Sequence, residues 1–369
     1  MFTAPLKGEQ MPRLLRILMT ISIFLLLSSL APVAFAGNER SLSRVLNVYN
    51  WEDYLGETTI RDFERRFGVK VHLETYKNEE EMLSAVQSDP AKYDIIIISG
   101  LLVQEMRALK LLVPVNYRNI PNIGNIDPMF KNPFYDPGNR YSVPYLWGTT
   151  GIAVNRRFVK EKVNSWKILW DFKYRGKISL LNDMDEVIAM ALKTKGYSIN
   201  TNDPRALEEA RLLLFRQRPL IAGYHDCIKT RGDLISGRIW LAHQFSGEAC
   251  YAADKNKDIE YVIPKEGASI WVDNICIPRD SRNKYTAEVF INYILAPEAS
   301  AKIANYLWYA NCNRAAARYT LKEILEDPAI YPPAQILRRC EFFKEAGTDQ
   351  EIGKGHAIRN KIWSDLMKK

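Results

Sequence analysis

VLNVYNWEDYLGETTIRDFERRFGVKVHLETY, residues 45–76, followed by DIIIISGLLVQEMRAL, residues 94–109, decides the fold. Val45 to Tyr49 is an apolar, β-rich run, and Thr58 to Phe67 then places Ile60, Phe63 and Phe67 on one helical face before stopping at Gly68. Val69 to Tyr76 alternates as a strand does, and Asn78 caps a Glu-rich segment. Asp94 to Ile98 is a short strand whose four consecutive isoleucines imply burial on both faces, and a helix follows from about Leu101 to Leu109. Strand and helix alternating three times imply a parallel sheet with helices on both sides. Ligands bind such sheets at the carboxyl ends of the strands, here Asn50 to Tyr54 and Ser99-Gly100.

Further α/β material lies downstream. Tyr145 to Ala153 enters a second set built around Lys177 to Leu181 and a helix from about Glu186, approached through Trp166 to Trp170 and Tyr174 to Lys177. Ile259 to Ile263 and Ile270 to Ile277 read as later strands, and Lys284 to Ile303 as helix interrupted at Pro297. There is no internal repeat and no low-complexity segment. The expectation is two interwoven α/β lobes, with the chain crossing near Trp147, near Val272 and near Asn313. That gives 37–147 plus 273–312 in one lobe, and 148–272 plus 313–369 in the other.

Upstream, Lys7, Arg13 and Arg16 precede an apolar run from Ile17 to Leu27, and a small-residue stretch ends at Ala34-Phe35-Ala36. This reads as a secretory signal peptide over residues 1–36, cut after Ala36, because the apolar core is shorter than the ~20 residues a spanning helix needs. No Cys near that point offers an acceptor for a lipid anchor. The remaining chain exceeds what one core usually supports, which agrees with two lobes. Its net charge falls from +8 to +6 when Lys7, Arg13, Arg16 and Glu9 are removed, and no Lys/Arg block with interleaved aromatics suggests nucleic acid. The five cysteines, Cys227, Cys250, Cys276, Cys312 and Cys340, cannot all pair within one chain. A Cys227–Cys250 bridge is open on spacing. His225, Cys227, His243 and Cys250 lack the tight spacing of structural zinc sites, so no metal is expected.

The local signals with chemical content are aromatic residues and carboxylates at strand ends. Trp51 and Tyr54 follow the first strand, Asp183 and Glu186 follow the strand ending at Leu181, and Trp271 and Asp273 lie in the apolar run before Pro278. Flat rings and negative charge suit a small organic cation with an apolar backbone. Each also has a plainer explanation: Asp183 and Glu186 fit a helix capping box, and Trp51 and Trp271 fit core aromatics. Asp273, flanked by Ile270, Trp271, Val272 and Ile275, is costly to bury without a partner and is the leading candidate for a ligand contact. No G-x-S-x-G elbow, phosphate loop, H-E-x-x-H or dinucleotide glycine pattern occurs. Two acids one helical turn apart rarely flank a scissile bond as glycosidase acids do, so an enzyme is not expected.

The ordered set Val48-Tyr49-Asn50-Trp51 with Tyr54, Val143 to Gly148, Pro264-Lys265-Glu266-Gly267 and Trp271-Val272-Asp273 resembles the spermidine/putrescine-binding proteins of bacterial ABC importers, over essentially the whole mature chain. The resemblance implies a two-lobed periplasmic solute-binding fold, each lobe a mostly parallel sheet flanked by helices, with the ligand in the interlobe cleft. It implies an aromatic slot of Trp51, Tyr54 and Trp271, with Phe245 where the spermidine binders have Trp. It also implies acids Asp183, Glu186 and Asp273 for ammonium groups, a small polar contact at Ser99 and an aromatic at Tyr309 near the hinge. Glu52 replaces a small hydroxyl residue, Leu101 a Tyr, and Phe343 a Gln, so the ligand class is better defined than its identity. The implied partners are a polyamine and an inner-membrane ABC permease, with no cofactor and no nucleic acid, for a monomer in the periplasm. Another cationic amine, an amino-acid-like solute, a sensor role and a periplasmic hydrolase remain as alternatives.

Overall fold

The computed structural model describes residues 41–344 and 349–368; the leader expected over residues 1–36 lies outside them. The opening stretch forms β1 (Val45–Trp51), α1 (Thr59–Phe67), β2 (Lys70–Tyr76), α2 (Glu79–Ser88), β3 (Ile95–Ser99) and α3 (Gly100–Ala108). β1 pairs in parallel with β2 on one side and β3 on the other. Gly68 ends α1 in the left-handed region at φ 67°, where a residue with a Cβ is strained. The Asn78 side chain caps α2 by accepting from the Glu81 amide at 2.8 Å.

The isoleucine run divides as alternation requires. Ile95 and Ile97 join Leu46, Val48, Phe63 and Phe290 on one face, whereas Ile96 and Ile98 join Met82, Val86, Leu102 and Met106 on the other. Helices therefore cover both faces of this sheet, and the carboxyl ends of β1 and β3 are left at its edge.

β4 (Ser142–Asn155) is the longest strand, 14 residues and buried throughout. At ~3.3 Å per residue it runs about 45 Å, enough to serve two sheets. Its first part pairs antiparallel with β9 (Ser269–Cys276), with a register shift between Pro144 and Trp147, and Thr150 to Val154 pair antiparallel with β7 (Leu241–Phe245). β7 lies parallel to β5 (Ile178–Leu181), and β5 parallel to β6 (Ile221–His225). Around this second sheet pack α4 (Met184–Thr194), α5 (Pro204–Gln217), α6 (Cys227–Ile235) and α7 (Ser246–Lys255), together with β8 (Ile259–Val262) beside β4.

The sheet is thus parallel within each βα set and antiparallel along the two crossing strands. β4 and β9 run from one set to the other without a crossover helix, so nothing obliges them to lie parallel to their neighbours.

After β9 come α8 (Lys284–Ile294), α9 (Pro297–Leu307) and the short β10 (Ala310–Asn311), which pairs with β4. Ile324 and Ile330 pack into the first core cluster with Phe63 and Phe290. β11 (Glu341–Phe342) pairs with β9, and the C-terminal helix Asp349–Met367 sets Ile362 and Leu366 into the second cluster with Leu207 and Leu214. No described helix is long and apolar enough to cross a membrane.

Candidate functional site

Strand ends deliver the side chains. Trp51 closes β1 opposite Tyr76 of β2, and the two rings lie 4.4 Å apart. The turn after β1 is tied by Asn50, whose Oδ1 accepts from the Trp51 amide and whose Nδ2 donates to the Tyr54 carbonyl. This returns Tyr54 to the interior. Its ring meets Tyr145 and Tyr309 edge-on at 5.7 and 5.5 Å. Tyr309 in turn meets Trp271 at 5.5 Å, and Trp271 meets Phe245 at 5.7 Å, both edge to face. Tyr54, Tyr309, Trp271 and Phe245 form one connected aromatic wall. Two glycines permit it: a Cβ at Gly148 would meet the Trp271 ring at 2.5 Å, and one at Gly247 the Tyr309 ring at 2.3 Å.

The acids gather beside this wall. Asp273 on β9 stands opposite Ser99 at the end of β3, and its Oδ2 accepts from the Tyr54 hydroxyl at 2.7 Å. Burial holds its carboxyl at about 7, against the pull of that hydrogen bond. Asp183 caps α4 by accepting from the Glu186 amide at 3.0 Å. Glu186 does not reach back as a capping box would. Its Oε1 accepts from Thr150 Oγ1 at 2.8 Å and its Oε2 from Ser269 Oγ at 2.6 Å, which turns it toward the two crossing strands. Burial, then mutual repulsion among Asp183, Asp185 and Glu186, pushes Asp183 and Glu186 above the ordinary carboxylate range.

One acid of this group goes unnoticed in the sequence. Glu79, at the first position of α2, accepts from the Ser99 amide at 3.0 Å, and burial raises its carboxyl to about 8, with Asp273 and Asp183 both repelling its charge. An acid in the first turn of a helix complements the helix dipole and gives no further signal. Glu52 turns away instead. It is 46% exposed and lies 3.9 Å from Lys77 Nζ, apart from the buried acids. Ser99 caps α3 through its Oγ and donates its amide to Glu79, so it supports the site through the backbone.

Among the described residues, none of Asp273, Glu186, Asp183 and Glu79 forms an ion pair with Lys, Arg or His, and no basic group figures among the causes that shift them. The indole Nε1 atoms of Trp51 and Trp271 are buried and meet no acceptor in the described residues. Aromatic rings and several desolvated carboxylates placed together can stabilise an organic cation bearing more than one ammonium, through rings along its methylenes and charge-assisted hydrogen bonds at its ends.

The other polar groups of the second set are placed elsewhere. His243 packs edge-on against Trp166 at 5.4 Å, and His225 Nδ1 lies 3.1 Å from Ser179 Oγ. No cluster of three or more His, Cys, Asp or Glu with metal-holding geometry occurs among the described residues. All five cysteines are free thiols, including Cys227 and Cys250.

Two helix-flanked α/β halves joined by crossing strands, with an aromatic and acidic site at the strand ends, define a solute-binding protein. The chain matches the model of the bacterial extracellular solute-binding protein family over residues 58–332, and it belongs to that family. It is 32% identical over 312 residues to the spermidine/putrescine-binding periplasmic protein of Escherichia coli, covering 84% of this chain and 89% of that one. A putrescine-binding periplasmic protein of Pseudomonas aeruginosa is 30% identical over 345 residues, 88% of this chain and 93% of the relative. Among solved structures, the spermidine/putrescine ABC transporter substrate-binding protein of Streptococcus pneumoniae superposes with a TM-score of 0.76 at 33% identity, over 88% of this chain and all of that one. The two-lobed fold expected from sequence is thereby established.

Proposed function

We propose that the chain is the periplasmic polyamine-capture component of an ABC importer, binding a putrescine- or spermidine-class cation between its lobes and presenting the closed form to a membrane permease. The observation that carries this reading is the set of carboxylates, Asp273 and Glu186 buried and Asp183 and Glu79 half-buried, beside an aromatic wall and with no cation paired to them among the described residues. Burying several acids in one place costs stability unless a cation joins them, and a diamine or triamine supplies cations at fixed spacing. In this reading Trp51, Tyr54, Phe245, Trp271 and Tyr309 line the methylene chain. Asp183, Glu186 and Asp273 hold the ammonium groups with Glu79 beside them, and Ser99 positions Glu79.

The names of the relatives point the same way, since they describe spermidine or putrescine binding in the periplasm and ABC transport. Capture without turnover, cleavage after Ala36, a monomeric state and no nucleic-acid partner complete the proposal. The lobes expected from sequence, 37–147 plus 273–312 and 148–272 plus 313–369, are proposed with one change: the third crossing lies beyond Ile330, so that residues 313–330 join the first lobe, because Ile324 and Ile330 pack with the first core cluster.

A thermal-shift screen of the mature protein against putrescine, cadaverine, spermidine, agmatine and amino acids tests the reading. A ligand at a hundredfold excess over its Kd stabilises by about 2.7 kcal/mol, a shift of several degrees. Shifts confined to the di- and triamines support it. A shift only with amino acids, or with no compound, refutes it.

A further inference from the structure

One acid near the aromatic wall differs from the others in having a cation of its own. Glu248 on α7 is buried; its Oε1 accepts from the Tyr309 hydroxyl at 3.3 Å, and its Oε2 lies 3.0 Å from Arg231 Nη1. Arg231 stands on α6, with its guanidinium 4.5 Å from the centroid of the Tyr251 ring. Its second nitrogen, Nη2, reaches 3.3 Å to Asp53 Oδ2. Asp53 belongs to the turn after β1, where it adopts φ 53°, and it immediately precedes Tyr54. One guanidinium therefore fastens a turn of the half built on β1 to two helices of the half built on β7. It also meets the acid that touches the wall through Tyr309.

We propose that Arg231 is a specificity-determining latch: it takes the place of a ligand cation at Glu248 and ties that end of the site to Asp53 of the opposite lobe, leaving the ligand to supply cations only toward Asp273, Glu186 and Asp183. The proposal rests on the amine-binding reading above. The two legs of the latch differ in kind. Asp53 is 61% exposed, so its leg is a solvent-screened pair that acts on the stability of the closed form. Glu248 and Arg231 are only 10% and 16% exposed, so removing the cation there strands a desolvated acid that a longer amine can satisfy.

Two variants separate the legs. Asp53→Asn cuts only the tie between lobes. Dissociation of putrescine, followed by stopped flow, should accelerate about two- to fivefold, the range an exposed pair supports, with the ratio of spermidine to putrescine affinity unchanged. Arg231→Met keeps the bulk of the side chain and removes the cation. It should speed dissociation at least as much and raise the spermidine-to-putrescine affinity ratio about tenfold, the value of one added charge-assisted hydrogen bond. Wild-type dissociation rates and an unchanged ratio in both variants would overturn the latch while leaving amine binding intact. A wild type that binds no amine would instead refute the functional reading. The latch is then decided by small-angle scattering without added amine: a larger radius of gyration in both variants supports it, and radii equal to the wild type overturn it.

Discussion

Replacing Asp273 by Asn separates a ligand-binding acid from a structural one. Asn keeps the shape and can still accept the 2.7 Å hydrogen bond from Tyr54, so packing against Trp271 is conserved and only the charge is lost. The carboxyl sits at about 7 rather than its ordinary 3.8. At ~1.4 kcal/mol for each tenfold change in proton affinity, ionising it without a cationic partner costs about 4 kcal/mol relative to the unfolded chain. Because the folded value lies above the unfolded one, the stability this group contributes is fully present below about pH 4 and is lost as the pH rises through 7. Without ligand, Asp273→Asn should therefore be more stable than the wild type at pH 7.5. The gain has a ceiling of about 4 kcal/mol and should shrink to about 1 kcal/mol at pH 4.5. Affinity should move the opposite way. Loss of one partner of a desolvated charge pair costs about 2 kcal/mol or more, so putrescine should bind roughly 30-fold more weakly. Scanning calorimetry across that pH range and titration calorimetry with putrescine read the two quantities. A variant that is less stable at pH 7.5 yet binds putrescine normally would refute the reasoning and make Asp273 a structural acid.

Three further outcomes follow from named contacts. Glu79→Gln retains an acceptor for the Ser99 amide and removes a charge that Asp273 and Asp183 oppose; titration should show weaker putrescine binding with thermal stability unchanged or raised, and unchanged affinity would remove Glu79 from the site. Gly247→Ala places a methyl against Tyr309 and should displace that ring from Trp271. Overpacking of this kind costs about 1–3 kcal/mol, so a lower Tm with weakened amine binding is expected, and wild-type values of both would contradict the close approach. All five thiols should react with a thiol reagent in denaturant without reductant, and a count of three or fewer in monomeric protein would mean that a bridge exists.

The fold could be read where periodicity and punctuation coincide. Phe63 and Phe67 on one face, the Gly68 stop, the Asn78 cap and the four isoleucines located the first three βα units to within a residue or two. β6, β7, α6 and α7 were not distinguished, because Ile221–His225 and Leu241–Phe245 are short and carry polar residues such as His225, His243 and Gln244 among the apolar ones. The candidate site was most legible at Asp273, where an acid inside an apolar run has few explanations and the structure places it beside the aromatic wall, bonded to Tyr54. Asp183 and Glu186 were legible only as alternatives. The structure gives Asp183 the cap and directs Glu186 to Thr150 and Ser269, partners more than thirty residues away that no local pattern announces. Glu79 looked like one of three acids opening a helix. Arg231, Asp53 and Glu248 meet through tertiary contacts alone.

Proton release on amine binding tests the central claim most directly. Asp273 at about 7 and Glu79 at about 8 are partly protonated at neutral pH, and an ammonium beside them favours the ionised form. Titration of the mature protein with putrescine at pH 7.0, in two buffers of different ionisation enthalpy, measures the protons exchanged. The account predicts one saturable site, release of between about half a proton and about 1.4 protons per amine bound, and affinity that rises from pH 6 to pH 8. Binding with no proton release and no dependence on pH across that range would contradict it, because the amine would then be held away from the buried acids.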